Sequence, residues 1–289
     1  MEIAEALGDV EIVSMDSMQI YRGMDIGTAK PDAAQRTRIT HHLLDVADPD
    51  EAWSVVCFRD AARSAVSDIE ARGHRALLVG GTGLYVQAVI DDLQFPGEDL
   101  ELRARLEAET AEPGGLGRAY ARLADLDPLA TSRIDEHNRR RIVRALEVTL
   151  STGRPFSSYG PGVSRFGPSV FPVRLAGIWL PRQFLARRID ERVRVMREAG
   201  LVDEVRELLA APGGLGHTAA QAIGYADIAV ALEAGDVPTD SVFDTIARRT
   251  RSFARRQRMW FRRDPRVTWW GTSDNPQALA PALLAAWKE

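Results

Sequence analysis

The chain has one cysteine, two lysines among its 37 basic residues, and no long apolar run. Each shortage excludes something. A single thiol, Cys57, permits neither an internal disulfide framework nor a cysteine-based zinc site. It reads as a buried cysteine of a reducing compartment. A membrane-spanning helix needs about 20 consecutive apolar residues, and no segment approaches that. Met1 to Val10 carries three acids and no base, which does not read as a secretory signal. The expectation is a cytoplasmic protein without a membrane partner. The lysine shortage has its own consequence. A P-loop requires lysine directly after its second glycine, and neither Lys30 nor Lys288 stands there.

The 289 residues are 45% apolar and 27% charged, enough for one large or two modest domains with real cores. The net charge of −4 means that any basic surface must be local. Glu11 to Met15 and Arg75 to Val79 are short apolar strand candidates, with a helical pattern over Ala52 to Arg72 between them. Strand, helix, strand argues for an α/β fold with a parallel sheet and its site at the carboxyl edge. Leu100 to Leu150 reads as a charged helical insertion, broken at Glu112 to Gly117 and at Asp127–Pro128. Val173 to Leu180 reads as a strand returning to the sheet. Helices are expected over Gln183 to Ala199, Val202 to Ala210 and Thr245 to Arg263. A last short strand ends at Trp269–Trp270. The expected domains are residues 1–95 with 166–289 as the core, and 96–165 as the insertion.

Asp16 follows the first strand. A carboxylate there can accept a proton from a nucleophile or hold Mg²⁺ through water. From the local pattern alone a helix N-cap is the favoured reading. Gly80-Gly81-Thr82-Gly83 follows the other strand. Its glycines let backbone N–H groups approach an anion, and Thr82 can donate to a phosphate oxygen. A tight turn needing positive φ is the structural alternative. Gly23 to Lys30 has the wrong glycine spacing for a P-loop and reads as a surface loop, with Lys30 left available to a phosphate. His41 and His42, with Asp45 nearby, point to opposite faces of an extended segment. One should be buried and hydrogen-bonded and the other exposed, rather than both holding a metal. Ile246 to Arg263 carries eight arginines and no acid, interleaved with Phe253, Trp260 and Phe261. Such a helix suits phosphate contacts and base stacking, with Arg251, Arg255 and Arg258 as candidates. Arg139, Arg140, Arg141 and Arg144 form a second basic cluster.

These stretches together resemble the bacterial tRNA dimethylallyltransferase (IPP transferase) family. The resemblance rests on Asp16 through Pro31 (D-S-M-Q-I-Y-R-G-M-D-I-G-T-A-K-P), His41-His42-Leu43-Leu44-Asp45 and Leu78 through Tyr85 (L-V-G-G-T-G-L-Y). Arg141 through Val148, Gln221 through Tyr225, Arg255-Arg256-Gln257 and Trp260-Phe261-Arg262 follow in family order. It implies a P-loop-NTPase-like parallel sheet core with a helical insertion domain. It also implies transfer of a dimethylallyl group from dimethylallyl diphosphate to N6 of an adenine beside the tRNA anticodon, with Mg²⁺ required and diphosphate released. ATP is not the expected substrate. Asp16 matches the family's general base, and Thr82 the residue that donates to the bridging oxygen of the diphosphate, near Gly80 and Gly81. Asp16, Ser17, Met18, Gln19 and Thr82 match tRNA-contacting positions. So do Arg103, then Arg140, Arg141, Ile142, Val143 and Arg144, then Ala222, Ile223, Gly224, Tyr225, Ala226 and Asp227. The protein is expected to be a monomer.

The family opens with a strand, a G-P-T-x-x-G-K-[ST] loop and a helix leading to the Asp16 strand. Here Met1 falls inside that helix, with Glu2 to Gly8 as its last turns. Roughly twenty residues are lacking by that comparison. The expectation is a start upstream and, for the chain as it stands, poor solubility and little transfer. Two other functions compete. An isopentenyltransferase of free adenine nucleotides would need neither the insertion nor the arginine-rich helix. A non-catalytic tRNA-binding remnant would not need Asp16 and Thr82.

Overall fold

The computed structural model describes residues 1–160 and 162–288. The chain divides into two compact units: Met1–Asp91 with the chain from Pro168 onward, and Asp92–Gly167. The first unit opens with helix α1 (Glu2–Leu7), closed by Gly8 in the left-handed region at φ 75°. Strand β1 (Val10–Ser14), α2 (Ala33–Arg38), β2 (His41–His42), α3 (Val55–Ala71), β3 (Arg75–Val79) and α4 (Gly83–Ile90) follow. β1 lies between β2 and β3 and is parallel to both, with Ile12 opposite His41 and Leu77. All five β1 residues are buried, as a parallel strand covered on both faces must be. Ser54 caps α3 at the Cys57 N–H, and Phe58, Ala62, Ala65, Val66 and Ile69 form its buried stripe. Cys57 lies off that stripe and is exposed, contrary to the buried thiol expected.

The second unit holds α5 (Leu100–Ala111), α6 (Gly115–Leu126), α7 (Pro128–Thr131) and α8 (Arg139–Thr152). Two of its helix breaks fall at the places the sequence marks, and a third, over residues 132–138 between α7 and α8, is not among those expected. Leu106, Leu123, Ile142 and Leu146 form its core. A buried carboxylate, Glu147, ties α5 to α8: it accepts from Arg103 Nε at 2.9 Å, Arg144 Nη1 at 2.6 Å and Asp99 N at 2.9 Å. Burial opposes its charge, but these donors hold the carboxyl below its ordinary range.

The chain returns to the first unit with β4 (Leu175–Trp179), α9 (Arg182–Glu198), α10 (Leu201–Ala210), α11 (Tyr225–Glu233), α12 (Asp240–Phe261), β5 (Val267–Gly271) and α13 (Ala280–Lys288). α11 and α13 are short and alanine-rich, with no sharp apolar stripe to announce them. β4 does not return to the first sheet as expected. It pairs with β5 in a separate parallel two-stranded ladder. Among the described residues, β3 and β4 each keep one unpaired edge. Val79 and Ile178 on those strands are 48% and 49% exposed. Unpaired parallel edges of this kind invite intermolecular pairing.

Below the sheet's carboxyl edge, β1 carries a buried carboxylate, Glu11. It accepts from His42 Nε2 at 2.6 Å, His74 Nδ1 at 2.8 Å and Arg72 Nη2 at 2.8 Å. Burial pushes its pKa up, but the three donors outweigh burial and bring it from 4.5 down to about 2. The folded state therefore holds Glu11 ionised where the unfolded chain protonates it. Its stabilisation is complete above pH 4.5 and is lost as pH falls toward 2. Urea midpoints of the wild-type chain should drop across that window, and Glu11→Gln should flatten the drop. An unchanged acid limb in Glu11→Gln would place the effect elsewhere. His41 Nδ1 bonds Ile39 O at 2.7 Å, so both adjacent histidines are half-buried and hydrogen-bonded, and neither is the exposed member expected.

Candidate active site

β1 and β3 end side by side. Met15 N donates to Val79 O at 2.8 Å. Gly80 lies so close that a Cβ on it would stand 2.6 Å from the Met15 backbone. The two segments beyond the strands therefore meet: Ser17 N donates to Thr82 Oγ1 at 3.4 Å. Asp16 Oδ1 accepts from Met18 N at 2.8 Å, an Asx turn with no helix after it, so the N-cap reading does not apply. Burial pushes the Asp16 carboxyl above its ordinary range, against the Met18 and Gln19 N–H groups and the charge of Arg192 on α9. A carboxyl so placed is a stronger base than one in water. Arg192 carries no signal in the sequence, since nothing distinguishes it there from the other arginines of α9.

Thr82 occupies the N-cap position of α4, yet its side chain makes no capping bond. Its oxygen takes the Ser17 N–H instead. Its own hydroxyl hydrogen meets no acceptor among the described residues. Gly80, Gly81 and Gly83 all have ordinary negative-side φ values, so no positive-φ turn explains them. Close approach does. A Cβ on Gly81 would stand 2.2 Å from Gln257 Nε2, and one on Gly83 would stand 2.4 Å from the Trp260 ring, both on α12. No backbone carbonyl among the described residues accepts from Gly80, Gly81 or Thr82 N–H. The result is a carboxylate, a hydroxyl and three open N–H groups at the carboxyl ends of neighbouring parallel strands, where α/β sheets hold ligands.

The loop from Gly23 to Lys30 is excluded from that role. Its N–H groups do form an anion nest, but the anion is internal. Glu204 of α10 accepts from Asp25 N at 3.1 Å, Ile26 N at 2.8 Å and Gly27 N at 3.3 Å. The Tyr225 hydroxyl donates to the same carboxylate. The Lys30 side chain is only 1% exposed and its ammonium donates to Tyr21 O, Asp25 Oδ1 and Asp45 Oδ1, so it has nothing left for a phosphate. Gln19 links this loop to β1: its Nε2 donates to Thr28 O at 3.1 Å, and its Oε1 accepts from Ser14 Oγ at 2.8 Å.

The remaining candidates divide by exposure. In the insertion, Ile142 and Val143 are core residues, and Arg103 and Arg144 are paired with Glu147. Arg140 and Arg141 are exposed, with no side-chain partner among the described residues. Ala222, Gly224 and Tyr225 are buried, leaving Ile223, Ala226 and Asp227 half-buried. Asp227 accepts from Gly224 N at 3.2 Å and from Arg249 at 2.6 Å. On α12, Arg251 pairs with Asp190 of α9. The acids that Ile246 to Arg263 lacks are thus supplied to Arg249 and Arg251 by Asp227 and Asp190 of neighbouring helices, which that stretch of sequence could not reveal. Arg255 is exposed without a partner among the described residues, and Arg258 lies over the Trp179 ring at 5.2 Å.

The IPP transferase family pattern matches residues 19–264. The tRNA dimethylallyltransferase of Kineococcus radiotolerans is 50% identical over 276 residues, covering 95% of this chain and 85% of that protein. The protein of the same name from Thermobifida fusca is 50% identical over 260 residues, covering 90% and 79%. Among solved structures, the full-length tRNA isopentenylpyrophosphate transferase of Bacillus halodurans superposes with a TM-score of 0.68 at 35% identity, covering 99% of this chain and 89% of that one. The chain belongs to the IPP transferase family.

Proposed function

We propose that this chain transfers a dimethylallyl group from dimethylallyl diphosphate to the exocyclic N6 of an adenine in tRNA. The observation that carries this reading is the approach of the segments after β1 and β3, where Ser17 N, next to Asp16, donates to Thr82 Oγ1. The N6 lone pair is delocalised into the ring, so attack needs a base. As the N6–C1 bond forms and the C1–O bond breaks, one N6 proton passes to Asp16 and diphosphate departs. The Thr82 hydroxyl donates to the oxygen that leaves, and the N–H groups of Gly80, Gly81 and Thr82 face its growing charge. The charge of Arg192 on α9 acts on Asp16 at longer range. The adenine must leave its stack to reach this edge.

Mg²⁺ belongs to this reading as the counter-ion of diphosphate. No group of three histidine, cysteine or acidic residues among the described residues could hold a metal, and Asp16 has one oxygen committed to Met18 N. A cation that keeps most of its waters and binds substrate phosphates needs no such cage. No helix among the described residues is long and apolar enough to cross a membrane.

The direct test is incubation of the purified chain with dimethylallyl diphosphate and tRNA, followed by nuclease digestion and mass spectrometry. A prenylated adenosine is expected; unmodified tRNA counts against the reading. The RNA surface has a separate test. Arg255→Ala with Arg258→Ala should weaken tRNA binding and reduce the slope of log affinity against log salt by about 0.7–0.9 for each phosphate that is no longer neutralised. Arg251→Ala should do less, because Asp190 already occupies its guanidinium. Equal slopes in all variants would turn α12 away from the RNA.

A further inference from the structure

Gln257 borders the crevice on its β3 side and has no role in the chemistry above. Its carboxamide nitrogen fills the space beside Gly81, 2.2 Å from where a Cβ would stand. Gly81 is therefore the residue that lets this amide come so close to the glycine loop. The side chain is half-buried, yet no hydrogen bond among the described residues uses its nitrogen or its oxygen. Three residues further along α12, the Trp260 ring fills the corresponding space over Gly83. Filling space thus does not require an amide at 257. A carboxamide carries two N–H donors. Here they stand beside the open N–H groups of Gly80, Gly81 and Thr82 and the Thr82 hydroxyl. Donors gathered on one side of a crevice suit an anion. The carboxylate Asp16, which faces the adenine amine, follows β1 and not β3.

We propose that Gln257 is a diphosphate-binding residue, its carboxamide N–H donating to a non-bridging phosphate oxygen of the prenyl donor over Gly81. This rests on the transfer reading above. Gln257→Glu keeps the shape and replaces the donor with a negative charge; Gln257→Ala removes the group. Affinities of the full chain for inorganic diphosphate with Mg²⁺, and separately for tRNA, give the readout, together with KM for dimethylallyl diphosphate. Gln257→Glu should weaken diphosphate binding by about ten- to a hundredfold, as expected when a charge-assisted bond is removed, with tRNA affinity and Tm unchanged. Gln257→Ala should move the same two donor parameters in the same direction by less, and it carries the comparison if the glutamate variant fails to fold. Wild-type diphosphate affinity in both variants overturns the assignment, as does a defect confined to tRNA binding. A wild-type chain that binds tRNA but no diphosphate overturns the transfer reading itself, an outcome distinct from the loss of Gln257 alone.

Discussion

Asp16→Asn should lower single-turnover transfer by about 10²–10⁴-fold, the usual effect of removing a general base, and leave tRNA affinity close to wild type. Asparagine keeps an oxygen for Met18 N, so the Asx turn and the approach of Ser17 to Thr82 survive. The pH dependence gives a second signature. Burial raises the Asp16 pKa, so the wild-type rate should fall as pH drops through that raised value and the base becomes protonated. The variant should lack that limb. Stability supplies a third. A carboxyl whose folded pKa is raised stabilises the fold only at low pH, and that contribution is lost as pH rises through the folded value. At neutral pH the ionised Asp16 is therefore a cost, and Asp16→Asn should have an equal or higher Tm. Loss of activity with an undiminished Tm separates chemistry from unfolding. Near-normal transfer by Asp16→Asn would remove Asp16 from the mechanism.

Much of this site is legible in the sequence because short-range signals decide it. β1 and β3 are apolar runs that stop abruptly at polar or glycine residues, and Gly73 and Gly8 mark the ends of helices before strands. Two of the insertion's three helix breaks lie at Pro113–Gly115 and Pro128 for the same reason; the one over residues 132–138 has no proline or glycine to mark it. What stays hidden depends on partners far apart in the chain. Glu204 fills the Asp25–Gly27 nest from 179 residues beyond Asp25, and no local pattern couples them. Lys30 looks available to phosphate because its three acceptors come together only in the folded loop. Arg251 looks free because Asp190 lies on another helix. The glycines after β3 suggest a turn, and only the packing of α12 shows that Gln257 and Trp260 require them. Composition alone misplaces Cys57, since cysteine is buried more often than not. The stripe Phe58, Ala62, Ala65, Val66 and Ile69 sets the face of α3, and Cys57 lies outside it.

The leaving-group side of the reaction rests on Thr82, and its removal should rank next to that of Asp16. Loss of one donor to a developing oxyanion costs on the order of 3 kcal/mol, or about 10²-fold in the chemical step. Thr82→Ala deletes the hydroxyl that lies 3.4 Å from Ser17 N. It costs α4 no cap, because the wild-type side chain makes none. An N-cap threonine normally spends its oxygen on its own helix and contributes about 1 kcal/mol there. Here that bond is forgone and the oxygen turns to the neighbouring strand end. This leaves the hydroxyl hydrogen uncommitted and free to donate to whatever occupies the crevice. Thr82→Ser restores the hydroxyl and should recover most of the rate, whereas Thr82→Val, similar in shape, should not. Single-turnover rates at saturating tRNA isolate the chemical step from binding. A Thr82→Ala defect that appears only as weaker tRNA affinity, or a Thr82→Val variant with normal rate, would show that the oxygen serves the Ser17 backbone and nothing in the reaction.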